Sequence, residues 1–217
     1  MKTESPWKSE IRKMKCLQFF IKRLFDIVFS SLLIVFLTVV PILLIVPILI
    51  KLTSKGPAIF KQERVGKNGK FFHIFKFRTM LIPEERIDEN GNMRKPTESI
   101  TKVGSFLRKT SIDELPQLFN ILFGDMSIVG PRPMLPAQVA KISQEEKRRH
   151  CMRPGVTGLA QVNGRNNLDW SEKLKFDLQY VREFSLWLDI QIMVKTIKVV
   201  LSHEGIAYVK ELDDRKQ

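Results

Sequence analysis

The longest feature in the hydropathy pattern is an uncharged run near the N-terminus. Residues 27–50 contain no charged side chain. As a helix rising ~1.5 Å per residue they would extend ~36 Å, enough to cross the ~30 Å hydrocarbon core of a bilayer. Such a run is typical of a single-span anchor. A cleavable signal peptide fits poorly, because the run is too long and residues 50–52 offer no small-residue cleavage site.

Two features favour a re-entrant hairpin over that anchor. Pro41 and Pro47 lie inside the run, and a proline removes a backbone donor and clashes with the preceding turn, so we expect a break at Val40-Pro41. Both flanks are basic, and by the positive-inside rule both are drawn to the cytoplasm. About 14 residues before the break give ~21 Å of helix, which is shorter than the hydrocarbon core. The pattern leaves both topologies open.

Two short runs after the uncharged segment predict a β-hairpin. Residues 58–65 and 71–80 are rich in aromatic and β-branched side chains, and the Asn-Gly pair between them favours a tight turn. The polar stretch that follows, residues 83–100, lacks apolar periodicity and predicts a mobile loop.

The second hairpin strand carries a candidate phosphate contact. A period of two places Lys76 and Arg78 on one face, and His73, Phe75 and Phe77 on the other. Two cations on one strand face can hold a phosphate. The alternative is a solvated cationic face above an aromatic inner face, with the histidine packed rather than ligating.

An acidic pair precedes the next apolar run. Pro116 is tolerated only in a first helical turn, so it predicts a helix that starts within residues 111–115 and runs to Gly124. Asp113 and Glu114 then lie at its N-terminus. One interpretation is a capping box, since Ser111 precedes Glu114 by three residues. The other is an anion site at which a divalent cation brings a nucleophilic carboxylate and a phosphate together.

Single arginines recur in rigid or glycine-rich segments. After a predicted strand at 127–129, two flanking prolines hold Arg132 in one direction. Residues 153–165 place three glycines between two arginines, a pattern suited to close backbone approach to a phosphate or a base. Each segment alone is equally consistent with a structural turn. Together the cations indicate a polyanionic ligand: Lys76, Arg78, Arg108, Arg132, Arg153 and Arg165.

The last apolar segment, residues 186–201, predicts a helix with a wide apolar face bordered by basic residues. It could lie in the headgroup plane of a membrane with Trp187 at the interface, or pack on the core. The residues after it form a short charged tail.

Composition narrows the class of protein. The 217 residues allow one domain with a short appendage, and 44% hydrophobic residues can bury a core. Thirty-six basic against 23 acidic residues give a net charge of +13, which implies an acidic partner: nucleic acid, anionic lipid or a phosphorylated substrate. Cys16 and Cys151 cannot form a disulfide framework, which favours a reducing compartment.

Seven motifs in order resemble the bacterial sugar transferases known as monotopic phosphoglycosyl transferases. The resemblance runs from Lys22 to about Ser202. The motifs are KRLFD at 22–26, QERVG at 62–66, KFRTM at 76–80, SIDELPQ at 111–117, GDMS at 124–127, GPRP at 130–133 and the arginine-flanked segment 153–165.

The resemblance implies a reaction and a nucleophile. Members transfer sugar-1-phosphate from a UDP-sugar to a polyprenol phosphate such as undecaprenyl phosphate, release UMP, and start lipid-linked glycan assembly for a capsule, an exopolysaccharide or a glycoprotein. By analogy Asp113 attacks the sugar-bearing phosphorus with Mg²⁺ bound, and Glu114 ligates Mg²⁺, orients Asp113 or accepts a proton. The donor sugar stays open, with a family weighting towards UDP-N-acetylhexosamine.

The resemblance also implies an architecture and partners. The expected fold is α/β in the α+β sense, mostly helical with a small hairpin, and with interfacial amphipathic helices. Its segments are a basic N-terminus (1–21), a re-entrant helix-break-helix (22–52), a compact catalytic domain on the cytoplasmic face of the membrane (53–205) and a tail (206–217). The family's break is commonly Ser-Pro, so Val40-Pro41 lacks the hydroxyl that bonds a freed carbonyl. The bilayer and downstream glycosyltransferases are candidate partners.

A rival hypothesis is a basic membrane-surface scaffold that recruits anionic lipid or nucleic acid without chemistry. It accounts for the charge and the apolar run. It does not account for an acidic pair set among arginines, which weakens a purely electrostatic binder. We therefore expect an enzyme with no nucleic-acid partner.

Overall fold

The computed structural model describes residues 16–86, 98–164 and 167–201. The described chain is mostly helical with two small sheets, which agrees with the predicted α+β class. The helices are α1 (Cys16–Val39), α2 (Ile42–Thr53), α3 (Lys102–Lys109), α4 (Gln117–Phe123), α5 (Pro136–Val139), α6 (Leu159–Val162), α7 (Trp170–Glu183) and α8 (Leu186–Leu201). The strands are β1 (Ile59–Val65), β2 (Phe71–Phe77), β3 (Ser127–Val129) and β4 (Gly155–Thr157).

The apolar N-terminal run forms a bent helix pair. Helices α1 and α2 meet at 62° across Val40 and Pro41, so the predicted break is confirmed. Pro47 lies inside α2 without ending it. Taken singly, none of the helices in the described residues is long and apolar enough to cross a membrane, whereas α1 and α2 pass that test together as a bent pair. Helix α1 continues unbroken through residue 22, where the sequence suggested a segment boundary.

One side of this helix pair packs on the rest of the protein. Leu37 of α1 joins a buried cluster with residues of β2 and α4, and Ile50 of α2 joins another with Phe77 and Leu107. The other side is apolar and exposed, with Val39 and Leu52 each more than three-quarters accessible. The pair is therefore part of the core as well as an apolar surface.

The predicted hairpin is confirmed. Strands β1 and β2 pair antiparallel from Ile59 opposite Phe77 to Val65 opposite Phe71. Asn68 takes the left-handed conformation (φ 58°) that the tight turn requires.

The predicted orientation of β2 is confirmed in part. Phe77 is buried against Leu107, as expected of the aromatic face, but His73 on the same face is exposed rather than packed. On the other face Phe72 and Ile74 are buried in a second cluster, and Arg78 is buried as well. Both faces of the strand therefore contact apolar clusters, so a single inner face does not describe it.

The second sheet accounts for two of the three glycines in residues 153–165. β3 and β4 are parallel, with Val129 opposite Thr157. A Cβ on Gly155 would lie 2.1 Å from the Gly130 nitrogen, and one on Gly158 would lie 2.2 Å from the Gly130 carbonyl oxygen. These glycines allow two backbones of the protein itself to approach, as the structural-turn alternative requires, and approach of this segment to a phosphate or a base stays a prediction.

Helices α7 and α8 enclose the second sheet. Tyr180 of α7, Phe184 just after it and Ile192 of α8 are almost completely buried with Val129, so the core-packed alternative for the last helix is confirmed. The same helix also presents an exposed apolar stripe at the i, i+3, i+4 spacing: Trp187, Ile190, Val194, Ile197 and Leu201.

The predicted loop at 83–100 is structured at both ends. Residues Pro83–Arg86 form a 3₁₀ turn, and Ile100 bridges Met80. Ser99 is fully buried, and its carbonyl accepts a 2.8 Å bond from the Leu81 N–H. The loop prediction is therefore wrong for these ends, and residues 87–97 lie outside the described residues, as do the basic N-terminus before Cys16 and the tail.

Candidate active site

The acidic pair lies in a separate 3₁₀ turn, Ile112–Glu114, between α3 and α4. Ser111 is left-handed (φ 57°), and its side chain makes no capping hydrogen bond. Helix α4 begins only at Gln117, after Pro116. The predicted helix start and capping box are therefore wrong. The left-handed residue interrupts the helical path, and the turn is closed by a 3.2 Å bond from the Glu114 N–H to the Ser111 carbonyl.

Apolar neighbours fix this turn. Ile112 and Leu115 pack against the buried cluster that contains Phe77 and Leu107. The two carboxylates between them are half-buried rather than enclosed in the core. The turn thus uses its apolar members as anchors and presents its acids to the charges around them.

Glu114 is held by an ion pair across the site. The Lys76 Nζ donates to its Oε1 at 2.5 Å, and the Arg132 Nη2 lies 3.9 Å from the same oxygen. About a fifth of the Lys76 side chain is exposed, against 58% of the Arg132 side chain. The partly buried lysine therefore fixes the carboxylate, and the arginine faces the open side.

Asp113 has a raised pKa. Burial raises the pKa of its carboxyl to about 6, Lys76 acts to lower it, Glu114 raises it, and Arg108 and Arg132 lower it. Above that pH the carboxylate is mostly ionised. A carboxyl whose pKa is shifted by burial together with specific charged neighbours is typical of a functional site.

Lys76 is positioned by strand β2 and by one buried amide. The side chain of Asn120, from α4, accepts from the Phe75 N–H at 2.9 Å and donates to the His73 carbonyl at 2.8 Å. It is completely buried, and it replaces a neighbouring strand at this edge of β2. The strand that carries Lys76 is thereby fixed to the helix that follows the acidic pair.

Arg108 is positioned by the close contact of α3 with the chain after β2. A Cβ on Gly104 would lie 2.0 Å from the Thr79 carbonyl oxygen, so the helix packs there only because residue 104 is glycine. The Thr101 side chain caps α3 by accepting from the Gly104 N–H at 2.9 Å. Arg108 Nε then donates to the Thr79 hydroxyl at 2.8 Å.

The structure gathers some of the predicted cations and separates others. Lys76, Arg108 and Arg132 surround the acidic pair. Buried Arg78 instead binds the Lys55 carbonyl and, at 2.9 Å, the Ser54 carbonyl at the end of α2.

A fifth predicted cation, Arg153, binds elsewhere in the described structure. Arg153 Nε donates to the Gly124 carbonyl at 2.8 Å, and the charges that act on it are those of Arg23 and Asp26 of α1. Arg165 lies outside the described residues. Substrate contact by any of the six cations stays a prediction.

Sequence reasoning missed several residues that build the site. Asn120 interrupts the apolar run at residues 118–123, and a polar residue in such a run signals a buried hydrogen-bonding role. Gly104 interrupts a helix and signals close approach. For Arg149 and Asp177, which hold the backbone of Arg132, no local pattern gave a signal.

The acidic pair also fits a divalent cation in part. No group of three or more His, Cys, Asp or Glu side chains that could hold a metal occurs among the residues of 16–86, 98–164 and 167–201. Mg²⁺ needs fewer protein ligands, since it is commonly bound by one or two carboxylates together with substrate phosphates and water. Two adjacent oxygen donors, Asp113 and Glu114, match that chemistry.

Comparison with known proteins identifies the family. The sequence profile of the family described as "Bacterial sugar transferase" matches residues 17–203. This chain belongs to the bacterial sugar transferases. The match includes the helix pair and the acidic turn.

Three relatives illustrate its place in the family. Over 161 residues it is 48% identical to "Galactosyl transferase CpsE" of Streptococcus agalactiae, covering 69% of this chain and 36% of the relative. The "UDP-glucose:undecaprenyl-phosphate glucose-1-phosphate transferase" of Klebsiella pneumoniae is 46% identical over 184 residues, 81% of this chain and 39% of that protein. "Uncharacterized sugar transferase EpsL" of Bacillus subtilis is 44% identical over 186 residues, 86% of this chain and 90% of that protein.

The share of each relative that is covered differs. This transferase spans little more than a third of CpsE and of the Klebsiella enzyme, but it matches nearly the full length of EpsL.

Proposed function

We propose that this chain transfers sugar-1-phosphate from a UDP-sugar to undecaprenyl phosphate, releases UMP, and carries the phosphosugar on Asp113 between two steps. The observation that carries the proposal is a half-buried aspartate of raised pKa, surrounded by Lys76, Arg108 and Arg132, in a bacterial sugar transferase. The reaction would be the first membrane-committed step in assembly of a capsule, an exopolysaccharide or a glycoprotein glycan.

The first step is a displacement at phosphorus. A carboxylate oxygen of Asp113 attacks the phosphorus that bears the sugar, the bond from that phosphorus to the bridging oxygen breaks, and UMP leaves with the electron pair. An acyl phosphate remains on the enzyme. The cations that surround Asp113 offset the charge of the approaching diphosphate, which would otherwise repel the carboxylate.

The second step returns the enzyme to its starting state. An oxygen of undecaprenyl phosphate attacks the same phosphorus, and the Asp113 carboxylate is the leaving group. The product is an undecaprenyl diphosphate sugar. Two displacements, each with inversion, give net retention of configuration at phosphorus, whereas a direct transfer gives inversion.

Asp113 and Glu114 would hold Mg²⁺ together with the donor phosphates. The ion, when bound, neutralises phosphate charge as the leaving group departs. Lys76 fixes Glu114 through its 2.5 Å ion pair, so the acid next to the nucleophile is already ordered. Arg132, more than half exposed and 3.9 Å from Glu114, is oriented to meet a phosphate from the open side.

The apolar helix pair would bring this site to the lipid. The α1–α2 pair breaks at Val40-Pro41 and exposes an apolar surface, and α8 adds an exposed stripe that ends at Leu201. We expect the pair to enter the bilayer and return, with the catalytic residues on the cytoplasmic face, where the UDP-sugar is available.

The test has two parts, a donor screen and a trapping experiment. The screen measures UMP release with Mg²⁺ and undecaprenyl phosphate, and it starts with UDP-glucose and UDP-galactose because the names of two relatives contain these sugars. N-acetylated UDP-hexosamines follow. Activity with at least one donor that requires the lipid supports the transfer, and silence across the panel favours a non-catalytic scaffold.

Trapping tests the covalent intermediate. With donor and Mg²⁺ but without lipid, intact-protein mass spectrometry should show the gain of one sugar phosphate. Asp113→Asn should abolish both adduct and turnover while donor binding persists, because it removes the attacking charge but little volume. Asp169→Asn is the matched control: Asp169 caps α7 through a 2.8 Å bond from the Glu172 N–H, and asparagine caps equally well. An adduct on the Asp113 variant, or inversion at phosphorus in the wild type, would overturn this mechanism.

A further inference from the structure

Two buried ion pairs converge on one short segment beside the acidic turn. The segment is residues 129–132, which leaves β3 and ends at Arg132. Each ion pair places its cation on a backbone carbonyl of this segment: Lys22 Nζ donates to the Val129 carbonyl at 2.9 Å, and Arg149 Nη2 donates to the Arg132 carbonyl at 2.7 Å.

Each cation is neutralised by an aspartate from the helices that enclose the second sheet. Lys22 pairs with Asp189 of α8 at 2.6 Å. Arg149 Nε donates to Asp177 of α7 at 3.0 Å, and its Nη2 binds the same oxygen. All four residues are less than a tenth exposed.

Tyr180 adds a third support. Its hydroxyl donates to Asp189 Oδ1 at 2.7 Å and lies 3.3 Å from the Val129 carbonyl. The segment itself has little freedom to move away, because Pro131 and Pro133 fix its dihedral angles and the Gly130 N–H is bonded to the Thr157 carbonyl at 2.9 Å.

Arg132 is the only member of the segment that faces outward, with 58% of its side chain exposed beside Glu114. Buried charge pairs are expensive to assemble and often add no net stability compared with apolar residues. A role in fixing the backbone geometry accounts for their presence. Both pairs donate hydrogen bonds to the backbone segment that carries Arg132.

We infer that Arg149, with Asp177, and Tyr180, with Lys22 and Asp189, are positioning residues that hold Arg132 in the orientation required to meet the donor phosphates. The inference rests on the proposed function for the role of Arg132. The hold on the backbone does not depend on that function, and it can be measured separately.

Arg149→Lys is the main perturbation. Lysine keeps the charge next to Asp177, but its single ammonium cannot reproduce the planar fork that spans the carboxylate and the Arg132 carbonyl. Tyr180→Phe is a milder second variant, since it removes only the hydroxyl. Arg148→Lys is the matched control, because Arg148 is the adjacent arginine and pairs with Glu145 at the surface.

The kinetic test is a double-mutant cycle with Arg132→Ala, using the donor found active in the screen. Arg149→Lys alone should lower kcat/KM for the donor about tenfold, within the ~100-fold range that small misplacements cost. In the Arg132→Ala background the same change should cost less than about twofold, because its effect passes through Arg132. Arg148→Lys should change neither value. Equal losses in both backgrounds would mean that Arg149 acts structurally, and would overturn the inference.

A second readout does not depend on activity. Hydrogen–deuterium exchange of the peptide covering residues 128–134 should be faster by about tenfold in Arg149→Lys and in Tyr180→Phe, and unchanged in Arg148→Lys. Unchanged exchange in both variants refutes the hold on the backbone even if the enzyme is active. Faster exchange in a protein that is inactive with every donor supports the hold and refutes the proposed function. If Arg149→Lys does not fold, the inference is tested with Tyr180→Phe instead, by its double-mutant cycle with Arg132→Ala and by the exchange rate of residues 128–134.

Discussion

The buried pair between Lys22 and Asp189 gives a quantitative prediction about how α1 is attached to the core. Lys22 is 8% and Asp189 5% exposed, and their charged atoms are 2.6 Å apart. Lys22→Met keeps most of the side-chain length but removes the cation, so the buried aspartate charge keeps the 2.7 Å bond from the Tyr180 hydroxyl without its ion pair. Breaking a buried pair from one side costs about 3–5 kcal/mol. For a chain of this size that lowers Tm by roughly 6–20 °C.

The pH dependence of this loss is a further expectation with a fixed sign. Burial raises the pKa of Asp189, and Lys22 acts to lower it. In Lys22→Met the pKa rises further, so protonation of Asp189 removes the uncompensated charge as the pH falls. The deficit in Tm should therefore be larger at pH 8 than at pH 5.

The assay is thermal unfolding in detergent, followed by far-ultraviolet circular dichroism. Arg148→Met is the control, because it breaks an exposed pair at 2.7 Å and such pairs contribute only about 0–1 kcal/mol. The double variant Lys22→Met with Asp189→Asn should be more stable than Lys22→Met alone, since no buried charge is then left unpaired. A single variant within about 2 °C of wild type, or a double variant that simply adds the two losses, would refute the reasoning.

Three more predictions address other parts of the chain. Burial lowers the pKa of His150 to about 4. Below pH ~6.5 the unfolded state therefore binds more protons than the folded state, and the free energy of unfolding falls as the pH drops towards 4. In pH-dependent melting curves His150→Gln should remove about 1–3 kcal/mol of that fall, and curves identical to those of the wild type would contradict this expectation. If α1 and α2 form a re-entrant hairpin, cysteines placed at Lys8 and Lys67 should both resist impermeant reagents on intact cells, and Pro41→Ala should expose one of them; labelling of either in the unaltered hairpin would indicate a spanning anchor. Asn120→Ala removes the partner of two partly buried backbone groups of β2 and should cost about 1–3 kcal/mol by denaturant unfolding. A loss below about 0.5 kcal/mol would mean that water replaces the amide.

Local chemistry was enough to predict several elements. The break between α1 and α2 follows from Pro41, because a missing N–H and a steric clash act within one turn of helix. The hairpin follows from an Asn-Gly turn between two alternating runs. The family was also readable, since its motifs are short and contiguous in the sequence.

The same local rules failed at the acidic pair. Ser111 and Glu114 have the spacing of a capping box, yet Ser111 is left-handed and Glu114 is paired with Lys76, 38 positions earlier in the chain. The capping box offers the Glu114 carboxylate one partner, a nearby backbone N–H. In the folded protein its partner is instead Lys76, which strand β2 brings close to it.

What the sequence determined by itself, then, is where the chain breaks, turns and alternates, and which residues could supply charge for phosphate chemistry. The tertiary structure decided which of those charges meet. Arg78 and Arg132 are both isolated arginines in sequence, but one is buried against carbonyls at the end of α2 and the other is exposed beside Glu114. A guanidinium reaches any acceptor that the fold brings near it, so its partner depends on contacts between distant segments, and these leave no periodic signal in the sequence.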